Sequence, residues 1–223
     1  MGGLTLLGAS LFVVMIYPII EHFHSFQGEG CHAGKSAFFI RLAGCPVRCP
    51  WCDSAGTWSG NAVGNAEKIS AEDLANLAGT AKPEIVVITG GEPTIHDLNP
   101  LIDALHARGL RVHLETCGAF AIRGNVDWVT VSPKLNKLPL AENWARANEL
   151  KFIITCEDDL EMWREMYNSQ LSTPNSQLPT CWLHPEWSVV SEKKILAKIS
   201  EFICSHGAPW RAGWQLHKLY FVK

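Results

Sequence analysis

Three cysteines stand within one eight-residue stretch, Cys45-Pro-Val-Arg-Cys49-Pro-Trp-Cys52, and this CxxxCxxC run constrains the chain more than any other feature. It follows directly on the apolar, β-rich segment Ala37-Phe38-Phe39-Ile40-Arg41-Leu42. Three thiols this close cannot pair off as disulfides without leaving one over. They can close on one iron–sulfur cube and leave its fourth iron without a protein ligand. An open iron can bind and polarise a small molecule, which a four-cysteine electron carrier cannot do. Two other uses compete. A structural zinc ion wants four ligands, so Cys31 or His32 would have to complete the set. A buried group of metal-free thiols is the second. The spacing favours the cube.

The rest of the chain suits an enzyme built around such a centre. A length of 223 residues fits one domain with a sizeable core. Its 47% hydrophobic and 18% charged content is ordinary for a globular protein, and a net charge of −3 gives no sign of a nucleic-acid partner. Eight clustered cysteines in so long a chain do not read as a secreted disulfide scaffold. Reduced thiols with a metal cluster imply a reducing compartment, the cytoplasm. The apolar run Gly3 to Ile20 has no Lys or Arg ahead of it, unlike a secretory signal. It barely reaches the length of a membrane span and contains Pro18, so a membrane anchor is the lesser alternative. We expect residues 1–14 to be an upstream extension with Met15 as the natural start. Residues 15–223 then form the domain, opening on the strand Ile16-Tyr17-Pro18-Ile19-Ile20-Glu21.

Strands alternate with helices along the chain. Ala37–Leu42, Ile85–Thr89, Leu110–Glu115, Val126–Val131, Leu150–Thr155 and Cys181–His184 read as strands, several of them continuous apolar runs suited to a parallel sheet covered on both faces. Helical periodicity places Leu98, Leu101, Ile102 and Leu105 on one face, and likewise Ile195, Leu196, Ile199, Phe202 and Ile203. Ser70 with Asp73 opens a further helix, and Asn168 to Pro179 reads as a loop. About six β/α units fit, too few for a closed eight-stranded barrel. The expected fold is therefore α/β, a partial, open TIM-like barrel with its ligands at the carboxyl ends of the strands.

Thr89-Gly90-Gly91-Glu92-Pro93 leaves one of those strands. Its glycines let the backbone approach a ligand closely, and Glu92 offers a carboxylate to an ammonium group. Alone, the motif would read as a plain turn. Beside the cysteine triad it resembles the radical S-adenosylmethionine superfamily. There the cofactor's methionine amine and carboxylate chelate the open iron, and an electron from the 4Fe-4S cluster cleaves the sulfonium to a 5′-deoxyadenosyl radical. Trp51 matches the usual aromatic near the adenine. The segments Phe23-His24-Ser25-Phe26-Gln27-Gly28-Glu29-Gly30, Glu115-Thr116-Cys117-Gly118, Ser132-Pro133-Lys134, Glu149-Leu150-Lys151-Phe152 and Gln215-Leu216-His217-Lys218 narrow the resemblance to the 7-carboxy-7-deazaguanine synthase family, from about Tyr17 to Lys223.

That resemblance implies a lyase that contracts 6-carboxy-5,6,7,8-tetrahydropterin to 7-carboxy-7-deazaguanine with loss of ammonia, supplying queuosine in tRNA. It implies Cys45, Cys49 and Cys52 as cluster ligands and Ser54 as a magnesium ligand where relatives often carry threonine. Phe26, Gln27, Gly28, Arg41, Thr89 and Lys223 are implied to bind substrate, Arg41 as a fork for its carboxylate. Trp51, Cys52, Asp53, Gly91, Glu92, Ser132, Pro133, Lys134, His184, Pro185, Glu186 and Trp187 are implied to bind S-adenosylmethionine. A flavodoxin- or ferredoxin-type electron donor and a homodimer are the implied partners, with no nucleic acid bound directly and no membrane.

Some positions depart from the family pattern. Cys117 stands where relatives commonly have asparagine or serine, and His184 where glutamine is common. Cys31 reads as a bystander, since reaching the cluster would block the open iron. Cys156, Cys181 and Cys204 read as buried structural thiols. His22, His24 and His217 are candidate proton carriers, His22 and His24 reading rather as exposed or core-satisfied. The rival readings are a glycyl-radical-enzyme activase, which would have no need of the SFQGEG and QLHK segments, and a non-catalytic zinc or iron–sulfur module.

Overall fold

The computed structural model describes residues 14–58, 60–170 and 178–223. Residues 1–13 of the expected extension, and residues 171–177 of the expected loop, lie outside the described residues. Among the described residues nine strands form one sheet: β1 (Ile16–Phe26), β2 (Ser36–Leu42), β3 (Glu67–Ser70), β4 (Ile85–Gly90), β5 (Val112–Thr116), β6 (Trp128–Val131), β7 (Glu149–Ile154), β8 (Thr180–Pro185) and β9 (Trp210–Ala212). Their order is β3-β1-β2-β4-β5-β6-β7-β8-β9. From β2 to β9 every neighbouring pair is parallel, while β1 runs antiparallel to both β2 and β3. The outer strands β3 and β9 do not pair with each other, so the barrel stays open as expected.

The helices are α1 (Gly60–Asn65), α2 (Ala71–Ala81), α3 (Asn99–His106), α4 (Ala141–Arg146), α5 (Asp158–Gln170), α6 (Lys193–His206) and α7 (Leu216–Leu219). Ser70 starts α2 as the sequence indicates, its Oγ accepting from the Asp73 amide at 3.1 Å. The apolar stripe of α3 is wholly covered: Leu101, Ile102 and Leu105 have no exposure. Cutting any of them to alanine costs about 2–5 kcal/mol. No described helix is long and apolar enough to cross a membrane.

Several expectations need correction. The first strand runs eleven residues rather than six, passing a register shift between Ile19 and Glu21. The polar β3 and the three-residue β9 give no apolar run to find. Between β5 and β6 the chain crosses as a loop, with Gly118 and Gly124 at φ of 75° and 86°. α5 extends to Gln170, into the start of the expected loop. Of the three thiols read as buried, only Cys181 is; Cys156 and Cys204 are exposed.

Period-two alternation gives each strand two different faces. Phe38, Ile40, Leu42, Val86, Ile88, Val112, Leu114, Val129, Val131, Leu150 and Phe152 join the helices in the main core. The alternate residues turn into the barrel. At one end Ala37, Phe39, Ile85 and Val87 close it with Phe23. Next along lie His113 and Trp128, against which His32 packs with ring centroids 4.5 Å from each. Toward the carboxyl ends the inward positions become polar: Arg41, Thr89, Glu115, Thr130, Lys151 and His184. The apolar layer shuts the bottom of the barrel and leaves a polar chamber at the top.

Candidate active site

The cysteine loop follows β2 and is held by backbone contacts that only glycine permits. Gly91 N donates to Leu42 O at 3.0 Å and Glu92 N to Gly44 O at 2.8 Å. A Cβ on Gly90 would fall 2.3 Å from Leu42 O, and one on Gly91 2.2 Å from Gly44 O. The two glycines thus let β4 press against the root of the cysteine loop. Cys45, Cys49 and Cys52 are free thiols lining the chamber, packed with Trp51 on Val47, Cys117 and Ala119. Burial and the neighbouring Cys52 and Cys45 sulfurs push the Cys49 thiol up, against the pull of Lys134.

The donor set fits a cube better than a single ion. Among the described residues no three His, Cys, Asp or Glu side chains converge on one metal position. In a cube each thiolate takes its own iron, so such convergence is not needed. Zinc's would-be fourth ligands are elsewhere: Cys31 is exposed with its amide on Glu149 Oε2 at 2.8 Å, and His32 packs on His113 and Trp128. Cys117 does lie under the loop, but burial and Glu92 hold its thiol far above the usual range and so protonated.

Glu92 is almost fully buried, with protein donors already on both oxygens. Thr94 Oγ1 and Thr116 Oγ1 reach Oε1 at 2.6 and 2.5 Å, and the Cys117 amide reaches Oε2 at 2.8 Å. An ammonium group would share that carboxylate with them. Lys134 Nζ donates to Ser132 O and Oγ at 2.7 and 2.6 Å and lies 5.2 Å from the Trp51 ring centre. Burial and the charge of Lys151 push its ammonium down to about 8. His184 is buried and its Nε2 has no partner among the described residues, while burial holds the ring neutral with its pKa at about 4. Trp187 is 40% exposed and covered by Lys218 Nζ at 4.1 Å.

On the opposite side of the chamber Gln27 Nε2 and Thr89 Oγ1 both donate to Glu115, at 2.9 and 3.2 Å. Arg41 Nε and Lys223 Nζ share Glu21, at 2.9 and 2.8 Å, and Arg41 Nη1 reaches Ser54 Oγ at 3.3 Å. Ser54 Oγ in turn donates to Asp53 Oδ1 at 3.0 Å. Every residue that the resemblance implies as a cluster, magnesium, substrate or cofactor contact lines this chamber except Pro133, which is buried beside it.

Other lining residues went unassigned in the sequence. Glu115 is one. Glu29, Lys151 and Gln215 are others, and the quoted motifs containing them were the signal, while His217, a candidate proton carrier in the sequence, also lines the chamber. Burial opposes charge on Glu29, but the Lys151 ammonium at 2.6 Å outweighs it and holds the carboxyl well below its usual range. Gln215 Nε2 donates to Glu29 Oε1 at 3.0 Å, and Leu216 N to Gly28 O at 2.9 Å. The C-terminal segment is thereby seated on the Phe26–Glu29 loop.

An open parallel barrel with a three-thiol loop at its carboxyl end defines a radical S-adenosylmethionine enzyme, and a family model described as the Radical SAM superfamily matches residues 39–134. The chain is 45% identical to the 7-carboxy-7-deazaguanine synthase of Synechocystis sp., covering 96% of this chain and 97% of that one. It is 38% identical to the Escherichia coli K12 enzyme of the same name, over 92% and 98%. The crystal structure of QueE from Escherichia coli superposes with a TM-score of 0.77 at 35% identity, covering 91% of this chain and 95% of that one. This chain belongs to the 7-carboxy-7-deazaguanine synthase family. Membership brings the 4Fe-4S cluster and S-adenosylmethionine as cofactors.

Proposed function

We propose that the chamber contracts 6-carboxy-5,6,7,8-tetrahydropterin to 7-carboxy-7-deazaguanine with loss of ammonia, in queuosine biosynthesis. The observation that carries this reading is the joining, in one chamber, of the three-thiol loop with the Gln27–Glu115 pair and with Arg41 and Lys223, both of which bond Glu21. The first side supplies the radical chemistry when cluster and cofactor are bound. The second offers what a carboxy-pterin needs: a guanidinium for its carboxylate, and an amide with a carboxylate for its polar ring edge.

Cys45, Cys49 and Cys52 hold the cluster. Trp51, Asp53, Gly91, Ser132 and Lys134 flank S-adenosylmethionine on the loop side. The segment His184 to Trp187 faces its adenine, with the orphan His184 Nε2 free to bond the ring. Pro133 acts by setting the turn between Ser132 and Lys134. Glu92 shapes the cradle as well as facing the ammonium, because its oxygens already hold Thr94, Thr116 and Cys117 in place. Phe26, Gln27, Gly28, Arg41, Thr89 and Lys223 bind the pterin. Ser54 offers a hydroxyl oxygen to Mg2+ beside the Asp53 carboxylate, the hard donor set that ion prefers. The reductant is a flavodoxin- or ferredoxin-type protein, and the working unit is a homodimer in the cytoplasm.

Anaerobic incubation of the reconstituted enzyme with the carboxy-pterin, S-adenosylmethionine, Mg2+ and reductant should yield the deazapurine acid by mass spectrometry. Release of 5′-deoxyadenosine with no deazapurine would refute the substrate, and release of neither would refute the reaction class.

A further inference from the structure

The segment Glu149-Leu150-Lys151-Phe152 opens β7, and its alternate residues turn inward. Lys151 and Ile153 line the chamber, and Glu149 stands one inward position below them, 4% exposed. A carboxylate buried so far is costly unless donors surround it. Thr130 Oγ1 donates to Oε1 at 2.7 Å, and the Cys31 amide and Trp182 Nε1 each donate to Oε2 at 2.8 Å. Burial opposes the charge, but the Cys31 amide and the Thr130 hydroxyl outweigh it and hold the carboxyl below its usual range. Thr130 and Trp182 belong to the neighbouring strands β6 and β8. Cys31 does not: it lies 118 residues away, in the loop after β1.

That loop is a closed unit with two levels. Gln27 N donates to Lys35 O at 2.8 Å and Gly34 N to Gln27 O at 2.7 Å, which ties its ends together. Gln27, Gly28 and Glu29 form part of the chamber lining, while His32 packs below on His113 and Trp128. Two rungs fasten the loop to β7: Lys151 holds the Glu29 carboxylate at 2.6 Å, and Glu149 holds the Cys31 amide. Between the rungs Gly30, at φ of 68°, passes so close that a Cβ would stand 2.5 Å from Glu149 Oε1. The contact is relayed upward. Glu29 N donates to Gln27 Oε1 at 3.1 Å, while Gln27 Nε2 is held by Glu115, so the Gln27 amide is aimed by the backbone just above Cys31.

We infer that Glu149 is a positioning residue for the pterin: through the Cys31 amide it fixes the height of the Gln27–Glu29 segment, and with it the reach of Gln27 to the substrate's polar ring edge. The inference rests on the function proposed above, in which Gln27 reads that edge. Glu149 itself touches neither substrate nor cofactor. It supplies an acceptor at a fixed depth, braced by β6 and β8 so that the loop moves to it and not the reverse. A ring that must present one hydrogen to a radical tolerates little error, since a misplacement of about 1 Å costs about a hundredfold in rate.

The test assays full-length reconstituted enzyme bearing Glu149→Leu, Glu149→Gln or Gly30→Ala for deazapurine formation, varying the carboxy-pterin and S-adenosylmethionine in turn. Glu149→Leu keeps the bulk and removes the acceptor. Its KM for the carboxy-pterin should rise about tenfold while that for S-adenosylmethionine stays within about twofold of wild type. Glu149→Gln still presents a carbonyl to the Cys31 amide and can turn its NH2 to Thr130 Oγ1, so it should recover most of the loss. Gly30→Ala strains the same contact from the loop side and should reproduce the Glu149→Leu pattern, so either variant that folds is decisive. An unchanged pterin KM in a folded Glu149→Leu or Gly30→Ala enzyme overturns the inference. So does an equal rise in both KM values, or failure of both variants to fold, each marking a general structural role. Glu149→Gln as impaired as Glu149→Leu overturns it too. Wild-type enzyme that forms no deazapurine refutes the function proposed above and this inference with it, whereas normal wild-type turnover with an unaltered variant KM refutes this inference alone.

Discussion

Glu29 and Lys151, 122 residues apart in sequence, meet at 2.6 Å between Oε2 and Nζ with side chains only 13% and 19% exposed. This pair joins the loop after β1 to the middle of β7. It also anchors the C-terminal segment, because Gln215 binds the other oxygen of the same carboxylate. A pair buried to this degree adds little net stability when intact, but losing one partner strands a charge.

Lys151→Met should therefore destabilise the protein by about 3–5 kcal/mol. Denaturant unfolding measures it. The double variant Glu29→Gln/Lys151→Met should recover a large part of that loss, because no charge is left unpaired. A double variant as unstable as the single one would contradict this account.

Gly28 has no room for a side chain: a Cβ there would stand 2.1 Å from His217 Nδ1. Gly28→Ala should displace the Gln215–Lys218 segment and abolish most turnover, while the barrel core keeps its stability to within about 1 kcal/mol. Faster proteolysis confined to the C-terminal segment is the expected signature.

His113 is buried against His32 and Trp128, and its Nε2 has no partner among the described residues. Burial, aided by nearby His32 and Arg111 and opposed by Asp127 and Glu149, lowers its pKa from 6.5 to about 4. The folded state resists the proton that the unfolded chain accepts, so stability falls as pH drops from 6.5 toward 4. The loss attributable to this ring is about 3 kcal/mol at the acid end. His113→Phe should flatten the stability profile over that window, and an unchanged slope would contradict the assignment.

Cys49→Ala should lose the cluster's visible absorption and all turnover while far-UV circular dichroism stays native, since the residue sits on a loop outside the main core. Ser54→Ala should retain the cluster. Its Mg2+ requirement should rise about tenfold, the equivalent of about 1.4 kcal/mol of binding.

Much of the barrel was legible from residues 37–42, 85–89 and 150–155, because a strand covered on both faces is a continuous apolar run. Those same runs obscured the inward positions. In Glu149-Leu150-Lys151-Phe152 the alternation that sends Lys151 into the chamber shows only once the neighbouring strands fix which face is inside. β3 and β9 were invisible because strands of four and three residues with polar side chains carry no pattern of their own. The loop between β5 and β6 broke the regular alternation for a reason no propensity reports. It is occupied in packing beneath the cysteine loop, through Cys117 and Ala119.

The sequence by itself determined the chemistry: a thiol spacing that suits a cube with one free iron, set in a β/α series too short to close. Local order is enough for that, because the ligands lie within one turn-rich segment. Only tertiary structure decided the company those thiols keep. Glu29 with Lys151 and Gln27 with Glu115 are charges and amides that would each be costly to bury alone. They become affordable only when distant segments bring their partners into the same dry space.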